Sequence, residues 1–209
     1  MSAQIKERPI LFSGAMVRAL LDGSKTQTRR VVKMPPSWDC FVCADWGDGW
    51  WPYRSDDGES PTYDNNEIRL NCPYGQPGDR LWVRESWKAH TTFDHLRPRD
   101  IPESHIWYLA DDGYKAESRT RASMHMPRWA SRILLEVVSV RVERLQDISE
   151  EDADAEGVKE WARGACAAGN PLGLTNAGYF SKLWEQTYGP NSWDANPWVW
   201  VIEFKRVAL

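Results

Sequence analysis

Histidine and cysteine are both scarce, with four of each in 209 residues. His90, His95, His105 and His125 show no pairing with a serine or cysteine, so a hydrolase triad of the Ser-His or Cys-His kind is not expected. Cys40, Cys43, Cys72 and Cys166 are too few and too irregular for a disulfide framework in a chain of this size. Cys40-Phe-Val-Cys43 has the gap of a zinc knuckle, but only Cys72 follows as a third thiolate and no histidine stands at ligand spacing; no metal or other cofactor is expected. Long apolar runs are missing too: nothing approaches the roughly 20 residues of a membrane helix. Met1 to Arg8 is polar and lacks the apolar centre of a signal peptide. A soluble, cytoplasmic protein with no membrane partner is the expectation. A basic excess is also lacking. The formal charge of −4 argues against coating nucleic acid by phosphate neutralisation alone, so any such contact has to be local.

Charge is nonetheless segregated. Residues 1–33 hold Lys6, Arg8, Arg18, Lys25, Arg29, Arg30 and Lys33 against Glu7 and Asp22, whereas 39–67 hold eight carboxylates against Arg54. Thirteen tryptophans are many for this length. Most should fill the core, because indole buries a large apolar area, and some can serve as surfaces on which bases stack. The length suits one domain spanning 1–209, and a monomer is the simplest expectation.

Pro9 to Phe12 reads as a strand, followed by a helix that Ser13 opens and Gly23 closes, with Val17, Leu20 and Leu21 at helical spacing. Strands are expected at Leu81–Trp87, Ile106–Ala110 and Ser131–Arg144, the last with a bulge or bend near Val137-Val138, where the alternation changes phase. Ser149-Glu-Glu-Asp152 is a capping-box-like start for a short helix ending at Gly157. A further helix is expected over about 178–188, and Trp198–Lys205 is the clearest strand. Polar or Gly-rich composition marks 34–69 as an inserted loop or loose hairpin, and 88–104 and 158–176 as loop insertions. The class is α+β, a small mixed barrel with flanking helices.

Gly23-Ser-Lys-Thr-Gln-Thr-Arg-Arg30 is the densest polar cluster. On its own it reads as a capped helix end followed by a solvated basic strand. Gly23, Lys25, Thr28 and Arg30, however, resemble the Gly-x-Lys-x-x-Thr-x-Arg signature of the ASCH family, in the PUA-like superfamily. Pro77-Gly-Asp-Arg-Leu-Trp-Val83 resembles the family's Gly-Asp turn and strand, Ile148–Val158 its acidic helix, and Val201–Lys205 its closing strand. Cys72–Asp79 and His125–Arg132 look like a prophage-encoded branch of such proteins.

The resemblance implies a PUA-like (ASCH) mixed β-barrel. It also implies an activity found among small bacterial members, a metal-independent amidohydrolase that deacylates N4-acetylcytidine with a lysine, a threonine and a glutamate. Lys25 and Thr28 match the first two within the signature; Glu156 matches the third by its place at the end of the acidic helix, with Glu150 and Glu151 as alternatives if that alignment slips. The residue types suit the chemistry: a threonine hydroxyl needs a base, and a desolvated lysine can act as one. At a helix C-terminus, Glu156 needs a compensating cation, for which Lys25 is the candidate. Arg30 is suited to a carbonyl or phosphate oxygen, and Arg128, Trp129 and Arg132 to stacking and charge around a base, although Pro127-Arg-Trp129 reads equally as a structural corner. The partner is a modified nucleoside or RNA. A non-catalytic module binding RNA or a modified base, and a ribonuclease, stay open beside the hydrolase.

Overall fold

The computed structural model describes residues 4–33, 40–42, 51–53, 72–111, 117–167 and 173–208, and the backbone alone in 40–42, 51–53 and 165–167. Cys43, most of the expected 34–69 insertion and the Cys40 and Cys166 thiols therefore lie outside the described residues.

Strand β1 (Glu7–Leu11) leads into helix α1 (Gly14–Asp22), and β2 (Gln27–Val31) follows. After β3 (Cys40–Val42) and β4 (Trp51–Tyr53) come β5 (Arg80–Arg84), β6 (Trp87–Ala89), β7 (Ile106–Tyr108) and the long β8 (Leu134–Arg144). Three helices then run in succession, α2 (Glu150–Ala155), α3 (Val158–Ala167) and α4 (Asn176–Tyr188), before the final strand β9 (Trp198–Val207). Five strands form one mixed sheet in the order β1-β5-β8-β9-β2. Only β1 and β5 are parallel; the other three pairings are antiparallel. The α+β class holds. Because β1 and β2 end the order as edges, the ladder does not close into the expected barrel.

β9 explains why the sheet is sandwiched. Trp200, Ile202 and Phe204 join Ile10, Val17 and Leu135 in one core cluster, while Val199 and Val201 join Phe180 and Trp184 of α4 in another. Alternation along a strand sends these two sets to opposite faces. α1 covers the first and α4 the second. The register between β8 and β9 shifts between Val137 and Ser139, the bulge that the phase change foretold, and it leaves Val138 exposed.

Two expectations need correction. Residues 158–167 are helix α3, not loop. Val158, Trp161 and Ala162 recur at helical spacing, and Val158 and Ala162 are buried; that stripe, with the high helix propensity of alanine, outweighs the Gly and Ala composition read as a loop signal. Residues 88–104 are not a simple excursion either. Ala89 and Ile101 are buried with Trp87, Met126 and Ala130 in a third cluster, which explains why the strand expected over 81–87 breaks into β5 and β6 at Glu85-Ser86.

Candidate functional site

The site starts at the end of α1. Gly23 sits at φ 84°, the left-handed conformation that ends a helix and that glycine adopts without cost. The chain then folds back: Lys25 N–H donates to Ala19 O at 2.9 Å and Thr26 N–H to Ala155 O at 2.9 Å, and Lys25 and Glu156 form an isolated antiparallel bridge. From Gln27 the segment enters β2, with Thr28 opposite Ile202 of β9. On the other side, the Ser149 hydroxyl accepts from Asp152 N–H at 3.0 Å to start α2, whose C-cap is Glu156. Gly157, at φ 78°, turns the chain at once into α3. A Cβ there would stand 2.8 Å from Ala19 Cβ and 3.0 Å from Lys25 Cβ, so only glycine lets the two segments approach this closely.

Lys25 is buried, and its Nζ donates to Gln27 O, Glu156 O and Glu156 Oε2, each at 2.8 Å. Those three contacts use every donor of an ammonium. The second Glu156 oxygen faces Arg29 Nη1 at 3.4 Å, and Arg29 Nη2 reaches Glu143 at 3.0 Å and Asp152 at 2.8 Å. Arg141 extends the network to Asp152, Glu143 and Glu203. Cations and carboxylates thus alternate behind the lysine, which is how several charges share one desolvated region. Burial pulls the Lys25 pKa below the ordinary lysine value, with Glu156 opposing that shift. For Asp152 burial acts upward, but Arg29 and Arg141 prevail and hold its carboxyl below the usual range.

A cavity of about 460 Å³ opens beside this pair, within the size range of small-molecule sites. Lys25, Thr28, Glu156 and Arg30 all line it, together with Phe12 and Tyr188. Three of the four residues that the ASCH resemblance singled out are buried polar groups: Lys25, Thr28 and Glu156. Arg30 lies 5.2 Å from the Phe12 ring and donates to Leu11 O at 2.8 Å and Arg29 O at 3.2 Å.

Arg128, Trp129 and Arg132 are not brought to this cavity. Arg128 Nε donates to Glu7 at 3.0 Å. Trp129 packs edge-on against Trp87 at 6.2 Å. Arg132 forks onto Glu85 at 2.9 and 3.0 Å and onto Asp111 at 2.9 and 2.7 Å, with Tyr108 beneath it at 3.8 Å. Their guanidiniums and ring satisfy the protein itself, the corner that Pro127-Arg-Trp129 suggested. Glu150 also faces elsewhere, accepting from Asn176 N–H at 2.7 Å at the start of α4, and Glu151 is exposed and absent from the lining. Arg29 and Arg84, by contrast, line the cavity without having been singled out from the sequence. Arg29 carried a signal, standing between two signature positions; Arg84 carried none beyond strand character.

Among the described residues no His, Cys, Asp and Glu side chains cluster as a metal site, and Cys72 is free, its thiol pushed up to about 11 by burial. No described helix is long and apolar enough to cross a membrane. No protein-family model matches the chain, and no curated protein matches it. Among solved structures it is similar to protein EF3133 from Enterococcus faecalis V583, of the family DUF984, at 9% identity over 98% of this chain and 82% of that one, with a TM-score of 0.40. At that distance the likeness carries no argument about function.

Proposed function

We propose that this chain is a cytoplasmic, PUA-like protein of the ASCH type, acting as a metal-independent amidohydrolase on an acylated nucleoside or base such as N4-acetylcytidine. The observation that carries the reading is the meeting of Lys25, Thr28 and Glu156 at one cavity from two distant stretches of chain. In this mechanism Thr28 Oγ attacks the acyl carbonyl while its proton passes to Lys25 in the neutral form. Burial favours that form, and the contact with Glu156 offers the displaced lysine proton a place to go. As base, Lys25 releases one of its three contacts and turns the freed lone pair to Thr28. The C–N bond then breaks, the leaving amine takes back the proton, and water hydrolyses the acyl-threonine to give the carboxylic acid and restore the hydroxyl. Arg30 is placed to hold an oxygen of the substrate.

One observation favours a second reading. All three Lys25 donors are satisfied within the protein, as in a structural ion pair, and this suits a module that recognises RNA or a modified base without turning it over. Incubating purified protein with a panel of N4-acylcytidines, beside an RNA-cleavage assay, separates the readings. Release of carboxylate and cytidine, abolished in Thr28→Ala, is the expected result. Binding without turnover supports recognition alone, and RNA scission supports a ribonuclease.

A further inference from the structure

The described lining of the cavity carries more cations than anions in a chain whose net charge is −4. Lys25, Arg29, Arg30 and Arg84 all line it, and among the described lining residues Glu156 is the one carboxylate. Glu156 answers Lys25, and Arg29 is neutralised from behind by Glu143 and Asp152. Arg30 and Arg84 remain, and among the described residues neither forms an ion pair. Both line the cavity beside Leu11. Arg84 is its register partner across the parallel β1–β5 pair, and Arg30 Nη2 donates to the Leu11 carbonyl at 2.8 Å.

Each guanidinium is braced, and among the described residues neither has a carboxylate against it. Arg30 is held by two backbone carbonyls and the Phe12 ring. Arg84 stacks on Trp82 at 4.4 Å and donates from Nη1 to Met124 O at 3.1 Å, while its Nε is buried without a partner. A guanidinium offers five donors, so both keep spare ones. Desolvation also pulls the Arg84 pKa below the ordinary arginine value, the direction expected of a partly buried charge. Two braced forks lining one cavity, with no ion-pair partner among the described residues, supply the donors with which arginine binds a phosphate in bidentate fashion.

We propose that Arg30 and Arg84 form a phosphate subsite of this cavity, so that its substrate is a nucleotide, free or as a unit of an RNA strand, and not a free base or nucleoside. This rests on the reading of the cavity as the substrate site, and it adds the substrate's charge to that reading.

The test is calorimetric binding of cytidine, cytidine 5′-monophosphate, cytidine 3′-monophosphate and a short single-stranded cytidine oligoribonucleotide, none of which requires turnover. At least one monophosphate, or the oligonucleotide, should bind about 10- to 100-fold more tightly than cytidine, the range for charged hydrogen bonds. Arg30→Gln and Arg84→Gln, with unchanged circular dichroism, should each erase most of that preference, and Arg84→Lys should restore part of it. The oligonucleotide as the tightest ligand, with a salt slope reduced in each Gln variant, assigns the phosphate to RNA; a monophosphate as the tightest ligand assigns it to a free nucleotide. Equal binding of cytidine and every phosphorylated probe overturns the proposal, as does no binding of any probe, or a preference that survives in both Gln variants. If the preference stands while no acylcytidine is hydrolysed, the subsite is upheld and the hydrolase reading falls.

Discussion

Lys25 Nζ stands 2.8 Å from Glu156 Oε2 across 131 positions of sequence, with the two side chains 2% and 4% exposed. A buried pair of this kind is tolerated only when both partners are present, since each charge alone faces a desolvation cost that water no longer offsets.

Removing one partner should therefore be far worse than neutralising it in shape. Glu156→Ala leaves Lys25 and Arg29 facing an uncompensated gap and should destabilise the fold by about 3–5 kcal/mol. Glu156→Gln keeps acceptor and volume and should cost clearly less. Urea unfolding of both variants measures the difference, and equal losses would show that packing, not charge, makes the residue important.

The catalytic reading makes a prediction about pH. Neutral Lys25 is the base, and burial places its folded pKa below the ordinary 10.5, so kcat/KM on an acylcytidine should rise with pH and level off below that value. Lys25→Arg cannot lose its proton and should lower kcat/KM by about 10²- to 10⁴-fold, the usual contribution of a general base. Thr28→Ala should be at least as damaging while leaving the far-ultraviolet spectrum unchanged. A flat pH profile would remove the lysine from the base role.

Gly157 should resist substitution. Its φ is 78°, and an added methyl group would stand only 2.8 Å from Ala19 Cβ. Gly157→Ala therefore adds backbone strain of about 1–3 kcal/mol and forces Lys25 and Glu156 apart. A lowered Tm is expected, together with weakened ligand binding in whatever protein remains folded. An unchanged Tm would mean that the α2–α3 turn relaxes without effect on the site.

Asp152 should support stability at neutral pH and cease to do so in acid. Arg29 and Arg141 hold its folded pKa below 3.8, so the unfolded chain takes up the proton first as pH falls. The contribution is complete above 3.8 and is lost as pH drops through the folded value. The stability gap between wild type and Asp152→Asn, followed by denaturant titration, should shrink toward zero over that acid range. A gap that stays constant would show that the carboxylate charge is not what Asp152 supplies.

Cys72 should be slow to alkylate. Its thiol is buried and titrates near 11, so at pH 8 little thiolate is present to react. Peptide-resolved iodoacetamide labelling of folded protein should find Cys72 unmodified until denaturant is added; rapid native labelling would show that the segment opens readily.

Much of the fold was legible because local chemistry dictated it. Ser13 and Gly23 bracket α1, Ser149 caps α2, and the alternation of β9 and the phase slip at Val137-Val138 each follow from the period of a strand. α3 is hidden in the sequence because Gly and Ala compose a loop as readily as a helix, while the spacing of Val158 and Trp161 acquires meaning only from what packs against it. Of the candidate residues, the four that line the cavity, Lys25, Thr28, Arg30 and Glu156, were legible through resemblance, not from their own spacing.

The amino-acid sequence by itself determined the short-range events: where helices start and stop, which strand faces are apolar, and that a lysine, two threonines and two arginines crowd together after Gly23. Only the tertiary structure decided that Glu156 and not Glu150 meets Lys25, that among the described residues Arg29 has carboxylate partners while Arg30 and Arg84 have none, and that Arg128, Trp129 and Arg132 turn to the protein itself. The reason is that charge pairing and burial depend on distances between residues remote in sequence. Such distances are set by the packing of whole elements, which no local pattern encodes.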